Sequence, residues 1–299
     1  MERKLRVGVV GVGHFGRYHA QKYSRLSDVE LVGVVDLDAG RAREVARELR
    51  TAAHPEHRSL IGEVDAVSVA VPTQAHLEVA SEFLDAGVDV LVEKPIAATV
   101  DEADRMIDLA RKKGRILQVG HLERFNAALL ALERVVTQPL FIESHRLGTF
   151  SRRGTDVDVI LDLMIHDLDI IRTLVRSKIA SIDAIGVPVL STNIDIANAR
   201  IHFDTGCVAN ITASRVSFDT VRKIRIFQPD AYISIDFQSQ KIAIFHRVNP
   251  STPDGLPEIS IDNLELSKND ALEEEIKAFL RSVRTREIPR VTGEDGRLA

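Results

Sequence analysis

The hexapeptide Gly11-Val12-Gly13-His14-Phe15-Gly16 constrains this chain more than any other stretch. The apolar, Val-rich run before it, 5–10, reads as a buried strand, and the residues that follow read as a helix through about position 26. A G-x-G-x-x-G that closes a strand and opens a helix is the phosphate-binding turn of a dinucleotide fold. Gly11 permits the tight turn, Gly13 lets the backbone approach a pyrophosphate, and Gly16 lets helix and strand pack closely. The helix N-terminus offers unpaired N–H groups to the phosphates. His14 and Phe15 belong to this cofactor set by position, His14 offering its backbone rather than its ring. Asp36 lies 20 residues beyond Gly16, at the end of a second apolar run, 29–35. It is placed to bond a ribose diol, and a carboxylate there repels a 2′-phosphate, which favours NAD over NADP. Arg41 and Arg43 keep NADP in play.

The first 120 residues continue the alternation. Apolar strands at 64–71, 88–92 and 116–119 are separated by helices at 73–86 and 99–113, with Gly87 and Gly114 as helix stops. Strand–helix repeats of this kind predict βαβ units and a doubly wound parallel sheet, an α/β Rossmann domain over 1–120. After Gly120 the pattern changes. Helices are expected near 125–136 and over 156–175, then alternating strands at 140–147, 195–203, 207–216, 223–227, 232–237 and 241–247. Asp204-Thr205-Gly206 supplies a hairpin turn. Pro250, Pro253, Gly255 and Pro257 mark an irregular loop, and 270–286 a final helix. The expected second domain, 121–299, is α+β, with an open antiparallel sheet whose free face suits a homo-oligomer.

Composition narrows the functions. The net charge of −5 gives no electrostatic case for nucleic acid, and no apolar run is long enough to insert into a membrane. The single Cys207 excludes an intrachain disulfide and a cysteine metal cluster, and reads as a small buried residue. The absence of Trp and the three Tyr argue against a carbohydrate platform of stacked aromatics. Met1-Glu2-Arg3-Lys4 leads straight into a strand without a signal-peptide core, so a soluble cytoplasmic protein is expected.

Two further constellations carry chemistry. Glu93-Lys94-Pro95 closes the strand at 88–92, which aims Lys94 into the crevice where α/β sheets bind ligands, and Glu93 is expected with Pro72, Thr73 and His76 among the cofactor contacts. Pro95 fixes the turn and is able to take a cis bond. Pro72, Thr73 and His76 follow the neighbouring strand, where Thr73 serves as a helix cap, a cofactor contact or both. In the second half, Asp162 and His166 are four residues apart and share a helix face with Asp169. A His beside a carboxylate suits a proton relay. An i, i+4 ion pair explains the same spacing. No metal is expected, because Asp156 and Asp158 cap the helix N-terminus and the rest suits proton transfer better.

Together these residues resemble the Gfo/Idh/MocA family of nicotinamide-dependent oxidoreductases. The resemblance rests on 11–16, Pro72 with His76, Glu93-Lys94-Pro95, Asp162-x-x-x-His166 and Thr292-Gly293-Glu294-Asp295-Gly296. It implies a Rossmann domain with an open-faced sheet and a catalytic group of Lys94, Asp162 and His166. The segments 120–126 and 154–167 are similar to a branch that oxidises C3 of UDP-N-acetylglucosamine, giving a 3-keto sugar nucleotide for a diamino-sugar lipid A. Arg124 and Asn126 are then expected to bond sugar hydroxyls, and Arg152 and Arg153 to grip a diphosphate. Dehydrogenation of a free polyol such as inositol, and a catalytically silent nucleotide-binding regulator, are the competing readings.

Overall fold

A computed structural model describes residues 3–151, 157–239, 241–248, 258–265 and 269–299. The chain divides into two compact units, Met1–Leu122 with Asp270–Leu298, and Glu123–Asn269. The sequence reading assigned everything after residue 120 to the second domain. In the structure the C-terminal segment belongs to the first.

The first unit contains strands β1 (Leu5–Val10), β2 (Val29–Val35), β3 (Ala52–His54), β4 (Ala66–Val69), β5 (Asp89–Glu93) and β6 (Leu117–Gly120). They form one parallel sheet in the order β3-β2-β1-β4-β5-β6, the doubly wound arrangement. Helices α1 (His14–Arg25), α2 (Ala39–Leu49), α3 (His76–Asp85) and α4 (Val100–Lys113) connect the strands. The side chains of Asp38 and Thr99 cap α2 and α4, and Gly114 ends α4 in the left-handed conformation. All four residues of β4 are buried, as expected of a central strand covered on both faces.

The second unit holds α5 (Ala127–Val135), β7 (Phe141–Leu147), a π-helical turn at Ile160–Met164, α6 (Ile165–Val175), and strands β8 (Ile179–Val187), β9 (Ile196–Phe203), β10 (Val208–Ser214), β11 (Val221–Gln228), β12 (Ala231–Asp236), β13 (Lys241–Val248) and β14 (Glu258–Glu265). The eight strands run β14-β13-β12-β11-β7-β10-β9-β8. All neighbours are antiparallel except β7 and β10, so the sheet is mixed rather than purely antiparallel. Its inner face carries Ile142, Ile211, Ile224, Ile226, Ile233 and Ile244, packed with Leu129, Leu132, Ile170 and Ile171 of α5 and α6. On the other face Phe141, Phe227, Tyr232 and Phe245 are cross-strand neighbours with ring centroids 4.9–5.7 Å apart. Composition gave no hint of this aromatic row, which draws single residues from four strands.

The chain closes with α7 (Ala271–Thr285) and α8 (Gly293–Leu298), both in the first unit. Ile276, Phe279, Leu280 and Val283 of α7 enter the same apolar cluster as Val7, Val9, Tyr23 and Leu91. The Pro- and Gly-bearing loop at 250–257 lies outside the described residues.

Candidate active site

The glycine turn follows β1 as the sequence pattern requires. Gly11 has φ +83°, and a Cβ there would stand 2.5 Å from the Ala70 carbonyl oxygen. At Gly16 a Cβ would stand 1.7 Å from the Gly11 oxygen, so α1 cannot pack with any side chain at that position. Gly13 is the opposite case, with open space where its Cβ would lie. It is the N-cap of α1 and provides no side-chain cap, and the first turn of the helix carries no acid. An uncapped helix start beside open space fits a pyrophosphate. Asp36 anchors this turn from the end of β2. Its carboxylate accepts the Val12 N–H at 2.9 Å and the Asp38 N–H at 2.9 Å, and pairs with Arg41 Nη1 at 3.2 Å. His14 and Phe15 are exposed, with their rings edge to face.

The two neighbouring strand ends are tied to each other. The Lys94–Pro95 peptide is cis. Buried His76 places Nδ1 2.9 Å from the Pro95 carbonyl oxygen and Nε2 2.9 Å from that of Val71. Burial lowers its pKa despite these two carbonyls. The neutral ring donates to one of them, so its work is to hold the turn after β4 against the turn after β5. Thr73 caps nothing. It lies inside a 3₁₀ turn at Thr73–Ala75 that Pro72 opens, and α3 begins only at His76. Lys94 is half-buried just beyond β5.

Glu93, expected among the cofactor contacts, turns inward. Its Oε1 lies 2.9 Å from His19 Nε2, and its Oε2 accepts the Lys94 N–H at 3.3 Å. His19 Nδ1 is 3.1 Å from Ser68 Oγ, which is 2.8 Å from the Tyr23 hydroxyl. The chain of contacts assigns one tautomer, with Nε2–H donated to Glu93 and Nδ1 accepting from Ser68. Burial pushes the Glu93 carboxyl up, but the His19 bond and the nearby Lys94 charge help bring it below its ordinary value. Sequence reading missed His19, Ser68 and Tyr23. The only available signal was polar residues on faces of α1 and β4 that should be apolar.

In the second unit, Asp162 falls within the π-helical turn and His166 in the first turn of α6. One regular helix was expected. Such turns rotate the residues after them and recur at functional sites. Asp158 does not cap this helix; its carboxylate accepts the Ile194 N–H at 2.8 Å. Asp169 holds Arg124 in a bidentate pair at 2.7 and 2.8 Å. Arg124 is therefore buried and engaged within the unit. Asn126 is also engaged: it caps α5 by accepting the Ala128 N–H at 2.9 Å and donates to Glu123 at 3.1 Å. Arg152, Arg153 and Asp156 lie outside the described residues. Lys94 belongs to the first unit, and Asp162 and His166 to the second.

Comparison with known proteins gives one direction throughout. Residues 5–121 match the oxidoreductase family with an NAD-binding Rossmann fold, and 136–233 match the GFO/IDH/MocA C-terminal domain. A UDP-N-acetylglucosamine 3-dehydrogenase of Acidithiobacillus ferrooxidans is 42% identical over 93% of this chain and 88% of its own length. A crystal form of the enzyme of that name from the same organism superposes with a TM-score of 0.92, at 39% identity, covering 99% of this chain and 94% of the other. A myo-inositol 2-dehydrogenase of Thermotoga maritima is 27% identical over 99% of this chain and 93% of its own.

Proposed function

The chain belongs to the Gfo/Idh/MocA family and is a nicotinamide-dependent dehydrogenase, and from that premise we propose that it oxidises C3 of UDP-N-acetylglucosamine with NAD. The observation that carries the substrate is its 42% identity, along 93% of its length, to an enzyme named for that reaction. The inositol dehydrogenases are more distant, at 27% for the Thermotoga maritima enzyme. The product, a 3-keto sugar nucleotide, is a substrate for an aminotransferase, consistent with a diamino-sugar lipid A and a cytoplasmic location.

The residues around the glycine turn fit the cofactor. Gly13 and the uncapped start of α1 suit its pyrophosphate, and Asp36 its adenosine ribose. The Asp36 carboxylate disfavours a 2′-phosphate, although Arg41 beside it partly offsets its charge. When bound, the nicotinamide supplies the hydride acceptor. This chain's part is the proton and the alignment. Lys94 and His166 are the two groups suited to take the hydroxyl proton or to stabilise the oxygen as it ionises, and Asp162 to orient His166. Arg152 and Arg153 grip the diphosphate through charge-assisted bonds. The aromatic face of the second sheet serves a homo-oligomer, supported by the exposed Ile185, Ile259 and Ile261 on that face.

The test is NAD reduction by the purified protein with UDP-N-acetylglucosamine, UDP-glucose and myo-inositol side by side. Preference for UDP-N-acetylglucosamine, with the keto group mapped to C3 by NMR of the product, is the expected result. Turnover of myo-inositol alone would transfer the chain to the polyol branch.

A further inference from the structure

Glu275 on α7 is 0% exposed, and neither of its carboxyl oxygens meets a hydrogen-bond partner among the described residues. A buried ion without partners is strongly disfavoured. Ligand atoms of Glu275, Glu93 and His19 all lie within 4.8 Å of one another. The groups facing this point are His19 and Tyr23 from α1, Ser68 from β4, Glu93 and the adjoining Lys94 from β5, and Gln118 from β6. Gln118 donates to the Glu275 backbone carbonyl at 3.2 Å, which fixes this turn of α7 against the sheet. None of them hydrogen-bonds the Glu275 carboxyl. His19 already gives its Nε2–H to Glu93.

We propose that Glu275 is a positioning residue for Lys94, retaining its proton beside Glu93, so that two carboxyl groups carry one charge beneath the Lys94 turn. Glu93 then keeps its bonds to His19 and to the Lys94 N–H, with a neutral rather than a charged carboxyl beside it. Removing the proton places two like charges in a buried site, which low-dielectric surroundings do not tolerate. Burial first, and the Glu93 charge second, raise the Glu275 pKa well above its ordinary value. Burial likewise raises that of Tyr23, which excludes its phenol as a source of charge at neutral pH.

The inference rests on the proposed role of Lys94, but its first test does not. A carboxyl whose pKa is raised by folding stabilises the fold at low pH, and that stability is lost as pH climbs from its unfolded value, about 4.3, through the raised value. Glu275→Gln keeps the shape and the donor but cannot ionise. Its melting temperature relative to the unsubstituted protein should therefore rise steadily with pH across that window. A constant difference at all pH values overturns the proposal, whatever Lys94 does. The second test separates positioning from mere packing. Glu275→Leu should lower kcat on the order of tenfold, with KM for NAD unchanged, and Glu275→Gln should restore it. Equal kcat in the Leu and Gln variants overturns the positioning role. A stoichiometric divalent metal in the purified protein, lost in Glu275→Gln, would make the three residues a metal site and also overturn it.

Discussion

At the residue scale, Lys94 and Asp36 separate the two halves of the reaction. Lys94 sits in a turn fixed by Glu93 and by the His76 bridge to Pro95, so its removal leaves the surrounding backbone bonds in place. Lys94→Ala should lower kcat by about 10³-fold, the loss associated with one general acid–base group, while NAD binding by fluorescence titration stays near its original value. Near-normal turnover would exclude Lys94 from the chemistry. Asp36 has two functions, because it also accepts the Val12 N–H inside the glycine turn. Asp36→Ala should weaken NAD by about tenfold or more, the worth of hydrogen bonds to a charged group. Its effect on NADP should be smaller. If it acted only through the turn, both dinucleotides would suffer equally, so the ratio of the two dissociation constants is the measurement. The three glycines and Asp36 were legible in the sequence because each is required by local geometry. Glu275 was not. It follows Glu273 and Glu274, and in sequence all three read as one solvated run. Only the placement of α7 in the first unit distinguishes the third.

At the element scale, the strands recovered from sequence are those with one face in a core. β9, β10 and β12 alternate because alternate residues are buried. β8 and β14 end the second sheet, and every residue of β8 is exposed, so no core imposes a pattern on it. β3, three residues at the edge of the first sheet, escaped for the same reason. The π-helical turn was also illegible, since a shift from one hydrogen-bond period to another leaves residue types unchanged. The link between β8 and β9 depends on one buried carboxylate. Asp195 accepts N–H groups of Val189, Leu190 and Ser191 at 2.6–2.8 Å and pairs with Arg215 at 2.7 Å. Burial opposes its charge, but the Ser191 and Arg215 side chains and the backbone donors hold its pKa well below the usual carboxylate range. Asp195→Ala leaves Arg215 buried without its anion and should cost about 3 kcal/mol or more in urea denaturation. A folded pKa lowered this way adds stability above the unfolded value, about 3.9, and loses it as pH falls further. The acid limb of the melting curve should therefore be shallower in Asp195→Asn.

At the scale of the whole molecule, the two family domains and the doubly wound order were legible, and the course of the chain was not. The aromatic row on the second sheet leads to a prediction about assembly. Phe227 and Tyr232 stand at its centre, 4.9 Å apart. Phe227→Asp together with Tyr232→Asp places like charges directly opposite on adjacent strands and should shift the sedimentation coefficient to that of a smaller species. An unchanged coefficient would remove this face from the interface. The second unit is an insertion in the first, which the chain leaves after Leu122 and rejoins at Asp270. This has a consequence for synthesis. A ribosome releases β1 to β6 early, yet the apolar bed that receives Ile276, Phe279 and Leu280 stays uncovered until α7 emerges. The first unit begun is the last completed. A chain broken anywhere before residue 270 leaves that apolar bed bare, the kind of surface chaperones and proteases recognise.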